Sequence, residues 1–361
     1  MTTQKGALCG IRIVEFAGLG PVPFAAMMLA DMGADIVRVD RPGAVPVVPD
    51  PITGRGRPRV DADLKNPGDL AAVQDLIAGA DALLEGFRPG VMERLGLGPE
   101  PMIARNPRLV YGRMTGWGQD GPYASLAGHD INYIAITGAL AAIGTKDQAV
   151  PPLNIVGDYG GGALYLVAGV LAALLSAKAT GQGQVVDAAM CDGALSLTSF
   201  FHEMAADGQW QDVRASNMLD GGAPYYGVFR CADGLDVAVG AIEPQFHALL
   251  CQGLGIDEAE MAGRVDPAQW PALREKMAAV IASQPRAHWV ERLERSDACF
   301  TAVHTLSEAA AHPHIEARGS MVEVDGLAQP APAPRFSGTP SRIRSEERRL
   351  LGLAEAVARW R

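Results

Sequence analysis

A strand, a glycine turn, a helix and a second strand follow one another within the first forty residues, and this order constrains the fold most strongly. Residues 11–16 form a short apolar run of the kind found in strands buried on both faces. A turn at 18–21 follows, and Pro23 suits the first turn of a helix over 24–32. A second apolar run lies at 35–39. These features predict a β-α-β unit with two parallel strands.

The alternation continues to about residue 190, interrupted by a loop at 116–122 where glycines and a proline break both periodicities. The spacing predicts a helix over 67–77, a strand at 82–85, a helix at 91–95, a strand at 109–114, helical spacing from 129 to 140, a helix from 158 to 174 and a strand at 185–188. We therefore expect an α/β fold with a doubly wound large domain.

The pattern changes after residue 190. Two alternating runs, 226–230 and 235–239, flank an Asp-Gly pair and predict a β-hairpin. Helices are expected at 244–254 and 271–282, which indicates a smaller α+β domain. Residues 330–334 alternate proline and alanine and predict a stiff extended linker, and the tail from 345 to 361 has the pattern of an amphipathic helix.

Composition excludes several classes of protein. The chain has 361 residues, 48% of them hydrophobic and 20% charged, which is typical of a folded globular enzyme. The net charge of −10 argues against general nucleic-acid binding. Five cysteines without CxxC spacing predict free thiols in a reducing compartment and no zinc site. Since no signal peptide is apparent and the longest apolar run, 163–177, is short for a membrane span, we expect a cytoplasmic protein without membrane insertion.

Arginines cluster between residues 38 and 59. Arg55, Arg57 and Arg59 lie close together there, with few acidic residues nearby. A solvated loop is the usual interpretation, and a seat for a polyanionic small molecule is the alternative.

The candidate chemical groups are an imidazole and a carboxylate. His129 follows a glycine, and Asp158 opens the segment DYGGG, with Asn154 four residues earlier and able to share a helical face with it. Such a pair suits chemistry that removes a proton from one face of a carbon and returns one to the other. A helix beginning at Asp158 would offer free backbone N–H groups to an enolate oxygen, and its dipole would keep the carboxylate ionised. The plainer interpretations are helix capping by Asp158 and a histidine satisfied by the backbone.

A nicotinamide-binding domain is a weaker alternative. Gly18 and Gly20 begin a GxGxxG-like pattern, and Asp40 lies twenty positions beyond Gly20. Pro23 stands where the third glycine is required, so a doubly wound domain without this cofactor is favoured.

Several segments together resemble the alpha-methylacyl-CoA racemases of the family III CoA-transferase superfamily. They include ADLKNPGDL, GHDINY, NIVGDYGGG and VAVGAIEPQF, and the resemblance covers most of the chain in the family's order. It implies an intertwined homodimer of chains that each have a Rossmann-like large domain and a smaller α+β domain. The domains expected are 1–190 (large), 191–225 (linker), 226–312 (small), 313–334 (linker) and 335–361 (return to the large domain).

The resemblance also implies roles for the matched residues. His129 and Asp158 would be the two acid/base residues, Asn154 would orient Asp158, and Glu243 would come from the small domain of the partner subunit to accept a hydrogen bond from His129. Asp130 would have a structural role beside them. Residues at the positions that hold coenzyme A in the family are Arg41, Ala62, Asp63, Leu64, Lys65, Gly86, Phe87, Arg88, Arg94, Gly128, Asp130, Ile131, Asn132 and Tyr133.

The implied reaction is the interconversion of (2R)- and (2S)-2-methylacyl-CoA thioesters through an enolate. No metal and no cofactor are expected, since coenzyme A is part of the substrate. A CoA transferase of the same superfamily is the alternative, with Asp158 as nucleophile. His129 favours the racemase because transferases usually carry an aromatic residue there. An acyl-CoA-binding protein without catalysis would have no need for the set of His129, Asp158 and Glu243.

Overall fold

A computed structural model describes residues 5–44 and 49–360 and divides the chain into two units. The first consists of Met1–Thr137, Leu153–Leu197 and His314–Arg361, and the second of Gly138–Pro152 and Thr198–Pro313. The second unit thus begins with a short excursion at 138–152, a segment that the sequence placed in the large domain. We describe each unit by itself.

A seven-stranded parallel sheet forms the centre of the first unit. Its strands are β1 (Arg12–Phe16), β2 (Asp35–Asp40), β3 (Arg59–Asp61), β4 (Ala82–Glu85), β5 (Val110–Thr115), β6 (Val185–Ala189) and β12 (Leu350–Leu351). Strand β1 lies between β2 and β4, and the strand order is β12-β3-β2-β1-β4-β5-β6. The α/β fold and the parallel sheet predicted from the apolar runs are confirmed.

Helices cover both faces of this sheet. The helices of the first unit are α1 (Pro21–Asp31), α2 (Pro67–Ala78), α3 (Val91–Arg94), α4 (Pro99–Arg105), α5 (Asp130–Ala135), a π-helix (Ile155–Ala163), α7 (Leu164–Thr180), α8 (Met190–Leu197), α14 (Pro313–Ala317), a 3₁₀ turn (Ser345–Glu347) and α15 (Leu353–Ala358). Successive strand side chains enter opposite cores: Ile13 packs with α1 and α7, whereas Val14 packs with α2 and α15. This alternation is why the central strands appear as continuous apolar runs.

The second unit contains an antiparallel sheet with helices packed on it. Its strands are β7 (Tyr226–Arg230), β8 (Asp236–Gly240) and β9 (Phe300–Ala302), in the order β7-β8-β9. Its helices are α6 (Ala139–Ala142), α9 (Ser199–Ala206), α10 (Pro244–Leu254), two 3₁₀ turns (Glu258–Val265 and Pro267–Gln269), α11 (Trp270–Ile281), α12 (Arg286–Leu293) and α13 (Leu306–Ala310). The predicted hairpin and the helix from residue 244 are confirmed.

Three predictions about secondary structure are wrong. The tail is not one helix, because Leu350 and Leu351 form β12 and pair with β3. The expected linker 313–334 contains a hairpin, β10 (Met321–Val324) and β11 (Leu327–Pro330), whose turn is an Asp-Gly pair with positive φ. The helical spacing over 129–140 is divided into α5 and α6, since Gly138 adopts a left-handed conformation between them.

Of Arg55, Arg57 and Arg59, only Arg59 is exposed, so the solvated-loop interpretation is wrong for the other two. Arg55 and Arg57 are buried at 4% and 3% exposure. Arg55 pairs with Asp31 at 2.5 Å and also donates to the Pro330 carbonyl. Both interactions attach the loop to elements distant in sequence, which the local pattern could not reveal.

One continuous helical stretch, Ile155–Thr180, is long and apolar enough to cross a membrane by length and composition. One side of α7 within it is buried against the sheet, through Leu166, Val167 and Val170. Core helices of globular proteins can have the same length and apolar composition.

Candidate active site

A cleft of about 500 Å³ opens at the carboxyl ends of β1, β4 and β5. The chain runs from β1 outward to β2 and β3, then crosses back so that β4 lies on the other side of β1. Loops that leave β1 and β4 therefore diverge and leave a crevice, which is where ligands bind in open parallel sheets. Residues from both loops, Gly18–Val22 and Gly86–Pro89, line the cleft.

His129 lines this cleft from the start of α5. Its backbone N–H donates to Asn132 Oδ1 at 3.0 Å, and its carbonyl accepts from the Asn132 N–H at 2.8 Å. Asn132 thus caps the helix and fixes the backbone of His129. The imidazole itself is exposed.

An aromatic pair supports the loop before His129. Tyr133 donates from its hydroxyl to the Gly128 carbonyl, and its ring lies edge-to-face with Trp117 at 4.8 Å. A Cβ at Gly116 or Gly128 would stand 2.0 or 2.6 Å from the Tyr133 ring. Both positions therefore require glycine, and the two loops are held against one aromatic ring.

Asp158 lines the same cleft from within the π-helix. Asn154 Nδ2 donates to Asp158 Oδ2 at 3.2 Å, and the Asp158 backbone N–H donates to Asp130 Oδ2 at 2.7 Å. Burial raises the pKa of Asp158, and the Asp130 charge adds to this, while the Asn154 hydrogen bond and His129 lower it. The net direction is upward, so the carboxyl group is more easily protonated than an exposed aspartate.

Glycines allow neighbouring segments to approach the π-helix closely. A Cβ on Gly157 would lie 2.6 Å from Asp130 Oδ2, and one on Gly161 would lie 2.5 Å from the Ala194 backbone nitrogen. The ring of Tyr159 stacks on Phe24 of α1 at 4.4 Å. These contacts hold the wider π-helical turn, a geometry often found at functional sites.

Gly20 brings backbone against the Asp158 carboxylate. Its φ is +70°, a conformation that favours glycine, and a Cβ there would lie 2.8 Å from Asp158 Oδ2. The turn after β1 thus packs its backbone closely against the Asp158 carboxylate.

Two expectations about Asp158 are wrong. The helix begins at Ile155 rather than at Asp158, and the Asp158 N–H is already bonded to Asp130, so it is not free for an enolate oxygen. Burial also raises its pKa from the ordinary aspartate value, against the direction in which a helix dipole would act. The structural role expected for Asp130 agrees with this hydrogen bond.

The remaining predicted residues fall into three groups. Gly86, Phe87, Arg88, Gly128 and Tyr133 line the cleft with His129 and Asp158. Others lie on loops or helices of the first unit and are not among the described residues that line the cleft: Arg41 after β2, Ala62, Asp63, Leu64 and Lys65 after β3, Arg94 on α3, and Asp130, Ile131 and Asn132 on α5. Glu243 is exposed and precedes α10 in the second unit.

Glu85 positions the loop that contains Arg88. This carboxylate is fully buried and accepts from the Phe87 N–H at 2.7 Å and from Arg113 Nε at 2.8 Å. Burial raises its pKa against the opposing effects of Phe87 and Arg113.

Sequence reasoning missed most of the apolar lining. Leu19, Met114, Trp117 and Leu126 line the cleft, and Leu19 and Leu126 are exposed. Met190 at the start of α8 lines it as well. Leu19 and Met114 could have been predicted to line a ligand cleft, because they lie at or just after the carboxyl ends of predicted strands.

The chain matches the model of CoA-transferase family III over residues 8–350, nearly its whole length. The chain belongs to this family. The nicotinamide alternative is thereby displaced.

Two of its relatives are about 45% identical to it. The mouse alpha-methylacyl-CoA racemase is 44% identical over 92% of this chain and 87% of its own length, and the human enzyme is 45% identical over 93% and 88%. The acetyl-CoA:oxalate CoA-transferase of Acetobacter aceti is 29% identical over 92% of this chain and 90% of its own.

Solved structures share the fold. The crystal structure of Rv3272 from Mycobacterium tuberculosis matches with a TM-score of 0.79 and 26% identity, over 94% of this chain and 96% of its own. A CAIB/BAIF family protein from Brucella suis matches with a TM-score of 0.81 and 23% identity, over 99% and 100%.

Proposed function

We propose that the protein is a racemase that interconverts (2R)- and (2S)-2-methylacyl-CoA thioesters by two-base proton transfer. The observation that carries this is the shared cleft: His129 and Asp158, two different proton acceptors, both line it. The racemases of mouse and human, which are more similar to this chain than the Acetobacter aceti transferase, support the substrate class.

The reaction needs one group to remove the α-proton and the other to return a proton to the opposite face. In one direction the Asp158 carboxylate takes the proton, the electron pair moves onto the thioester oxygen, and protonated His129 donates to the carbon. The raised pKa of Asp158 favours this role, since an acid/base group works best when its pKa is close to the working pH. In the other direction the roles exchange.

Coenzyme A would lie along loops at the carboxyl edge of the sheet. Arg41, Lys65 and Arg88 follow β2, β3 and β4 in turn, and all three side chains are exposed. Guanidinium and ammonium groups at this edge suit the phosphates of the coenzyme. The apolar side chains of Leu19 and Leu126 would contact the acyl chain.

A homodimer would cover apolar surface on the first unit. Leu153 is 75% exposed and Leu175 71%, and Ile155, Leu164 and Leu195 are also exposed along the π-helix, α7 and α8. Several exposed large apolar side chains on one set of helices are typical of an interface between subunits.

In this dimer, we propose that Glu243 of the partner subunit accepts the hydrogen bond from His129. Heterodimers of His129→Ala and Glu243→Gln chains, co-expressed with different tags and purified through both, test it. Each heterodimer would have one site with both changes and one intact site, so turnover should be about half that of the wild type. Turnover no higher than that of either variant homodimer would show that both residues act from the same chain.

Incubation of (2R)-2-methylacyl-CoA with the enzyme in D₂O tests the reaction itself. We expect deuterium at the α-carbon and formation of the (2S) epimer, and we expect His129→Ala and Asp158→Asn to abolish epimer formation while remaining folded. Transfer of CoA to a free acid without epimer formation or deuterium uptake would favour the transferase alternative, in which Asp158 forms an anhydride.

A further inference from the structure

Three side chains of the second unit form a cluster suited to a metal ion. Glu294, His304 and His312 each offer one ligand atom, and all three atoms lie within 4.8 Å of one another. The two imidazole rings lie edge-to-face at 5.1 Å. These residues have no part in the proposed racemase chemistry.

We propose that this cluster binds one Zn²⁺ ion. Two imidazoles and one carboxylate are a common zinc ligand set, which leaves the fourth tetrahedral position to water. Zn–N and Zn–O distances of about 2.0–2.2 Å place the ligand atoms of a tetrahedral site about 3.4 Å apart. Side-chain rotations that move each ligand atom by roughly 1 Å would bring the three atoms from within 4.8 Å of one another to this separation.

Backbone hydrogen bonds hold the segment that contains His304. On one side, the Val303 N–H donates to the Asp236 carbonyl at 3.0 Å, and the Val303 carbonyl accepts from Arg286 at 2.7 Å. On the other side, Thr305 caps α13, and its N–H donates to Glu308 at 2.8 Å. His304 is therefore presented from fixed backbone, which lowers the cost of ordering a ligand.

The other two ligands also come from defined positions. Glu294 is the C-cap of α12, and its N–H donates to the Val290 carbonyl at 3.1 Å. The His312 N–H donates to the Ala309 carbonyl at 3.2 Å after α13. A bound ion would thus join the end of α12, the loop after β9 and the end of α13. Sequence spacing predicted no metal site, because these ligands come from three separate elements without a short motif.

The set also predicts which ions are rejected. Mg²⁺ and Ca²⁺ prefer oxygen ligands, whereas two of the three ligands here are imidazole nitrogens. Zn²⁺ is therefore the probe, and Mg²⁺ is the comparison.

Titration of the untagged, EDTA-treated protein with Zn²⁺, followed by calorimetry and thermal unfolding, tests the proposal. We expect one saturable Zn²⁺ per chain and a rise in melting temperature that Mg²⁺ does not reproduce. His304→Ala should weaken Zn²⁺ binding by about tenfold or more, and Glu294→Gln should weaken it as well. His304 is exposed and Glu294 is half-buried at the end of α12, so the melting temperatures of these variants in EDTA should be close to that of the wild type.

His202→Ala is the matched control, because His202 is an exposed histidine of the same unit outside the cluster. It should bind Zn²⁺ as the wild type does. Equal affinity in wild type and His304→Ala, or equal losses in His304→Ala and His202→Ala, would overturn the proposal and assign Zn²⁺ to exposed thiols or other histidines.

Discussion

Replacement of Arg57 by methionine should destabilise the protein strongly. Arg57 Nε lies 2.6 Å from Glu15 Oε2, and both side chains are buried, at 1% and 0% exposure. The guanidinium also donates to the carbonyls of Thr53 and Pro23. Methionine has similar length but leaves the Glu15 carboxylate and these carbonyls without their cation.

The expected loss is about 3–5 kcal/mol in the free energy of unfolding, which is typical when one partner of a buried ion pair is removed. Arg349→Met is the matched control. Arg349 pairs with Glu355 at 3.4 Å, but the two side chains are 51% and 58% exposed, so the loss should be below about 1 kcal/mol.

The loss should also depend on pH. Burial raises the pKa of Glu15, and Arg57 opposes this. Without Arg57, the pKa of Glu15 in the folded protein rises further above its value in the unfolded chain. The stability that protonated Glu15 contributes is fully present below the unfolded-state pKa and is lost as the pH rises through the folded-state pKa. The Arg57→Met penalty should therefore be larger at pH 8 than at pH 5.

Urea unfolding of wild type and both variants at these two pH values measures the effect. A loss for Arg57→Met no larger than that for Arg349→Met, or a larger loss at pH 5 than at pH 8, would refute the reasoning.

Three further substitutions test the surroundings of Asp158. Gly20→Ala places a Cβ 2.8 Å from Asp158 Oδ2 and should lower kcat by about tenfold or more. Gly10→Ala is the control, because Gly10 also has positive φ but its Cβ would meet nothing within 4 Å, and this variant should keep the wild-type kcat. Equal kcat values in the two variants would contradict this reasoning. Asp130→Asn removes a charge that raises the pKa of Asp158, so the acidic limb of kcat/KM, in the direction where Asp158 is the base, should move to lower pH. Asn154→Ala removes a hydrogen bond that lowers the pKa of Asp158, so the same limb should move to higher pH. If the limb moved in the same direction in Asp130→Asn and Asn154→Ala, it could not report the ionisation of Asp158.

Local sequence predicted the elements that depend on local patterns. The strands β1 and β4 are apolar runs bounded by glycine or aspartate, and their boundaries differ from the prediction by no more than one residue. The helix from Pro244 could likewise be predicted, because proline favours the first turn of a helix and Gly255 ends this one in the left-handed conformation.

Features that depend on tertiary contacts could not be predicted in this way. The π-helix requires close approach of Asp130 to Gly157, two segments distant in sequence. The burial of Arg57 depends on Glu15, whose position in an apolar run gave no sign of an ion pair. The residues of β12 are too few to show a periodic pattern, and they form a strand only because β3 presents an unpaired edge.

The pairing of β12 with β3 has a consequence for synthesis of the chain. Residues 350–351 complete a sheet edge that begins at Arg59, and Trp360 then donates to Asp35 at 2.9 Å. At about 5–20 residues per second, the ribosome needs roughly 15–60 s to pass from one partner strand to the other. During that interval β3 is an open edge on a nascent chain, so the large sheet can be completed only after residues 350–351 have been synthesised.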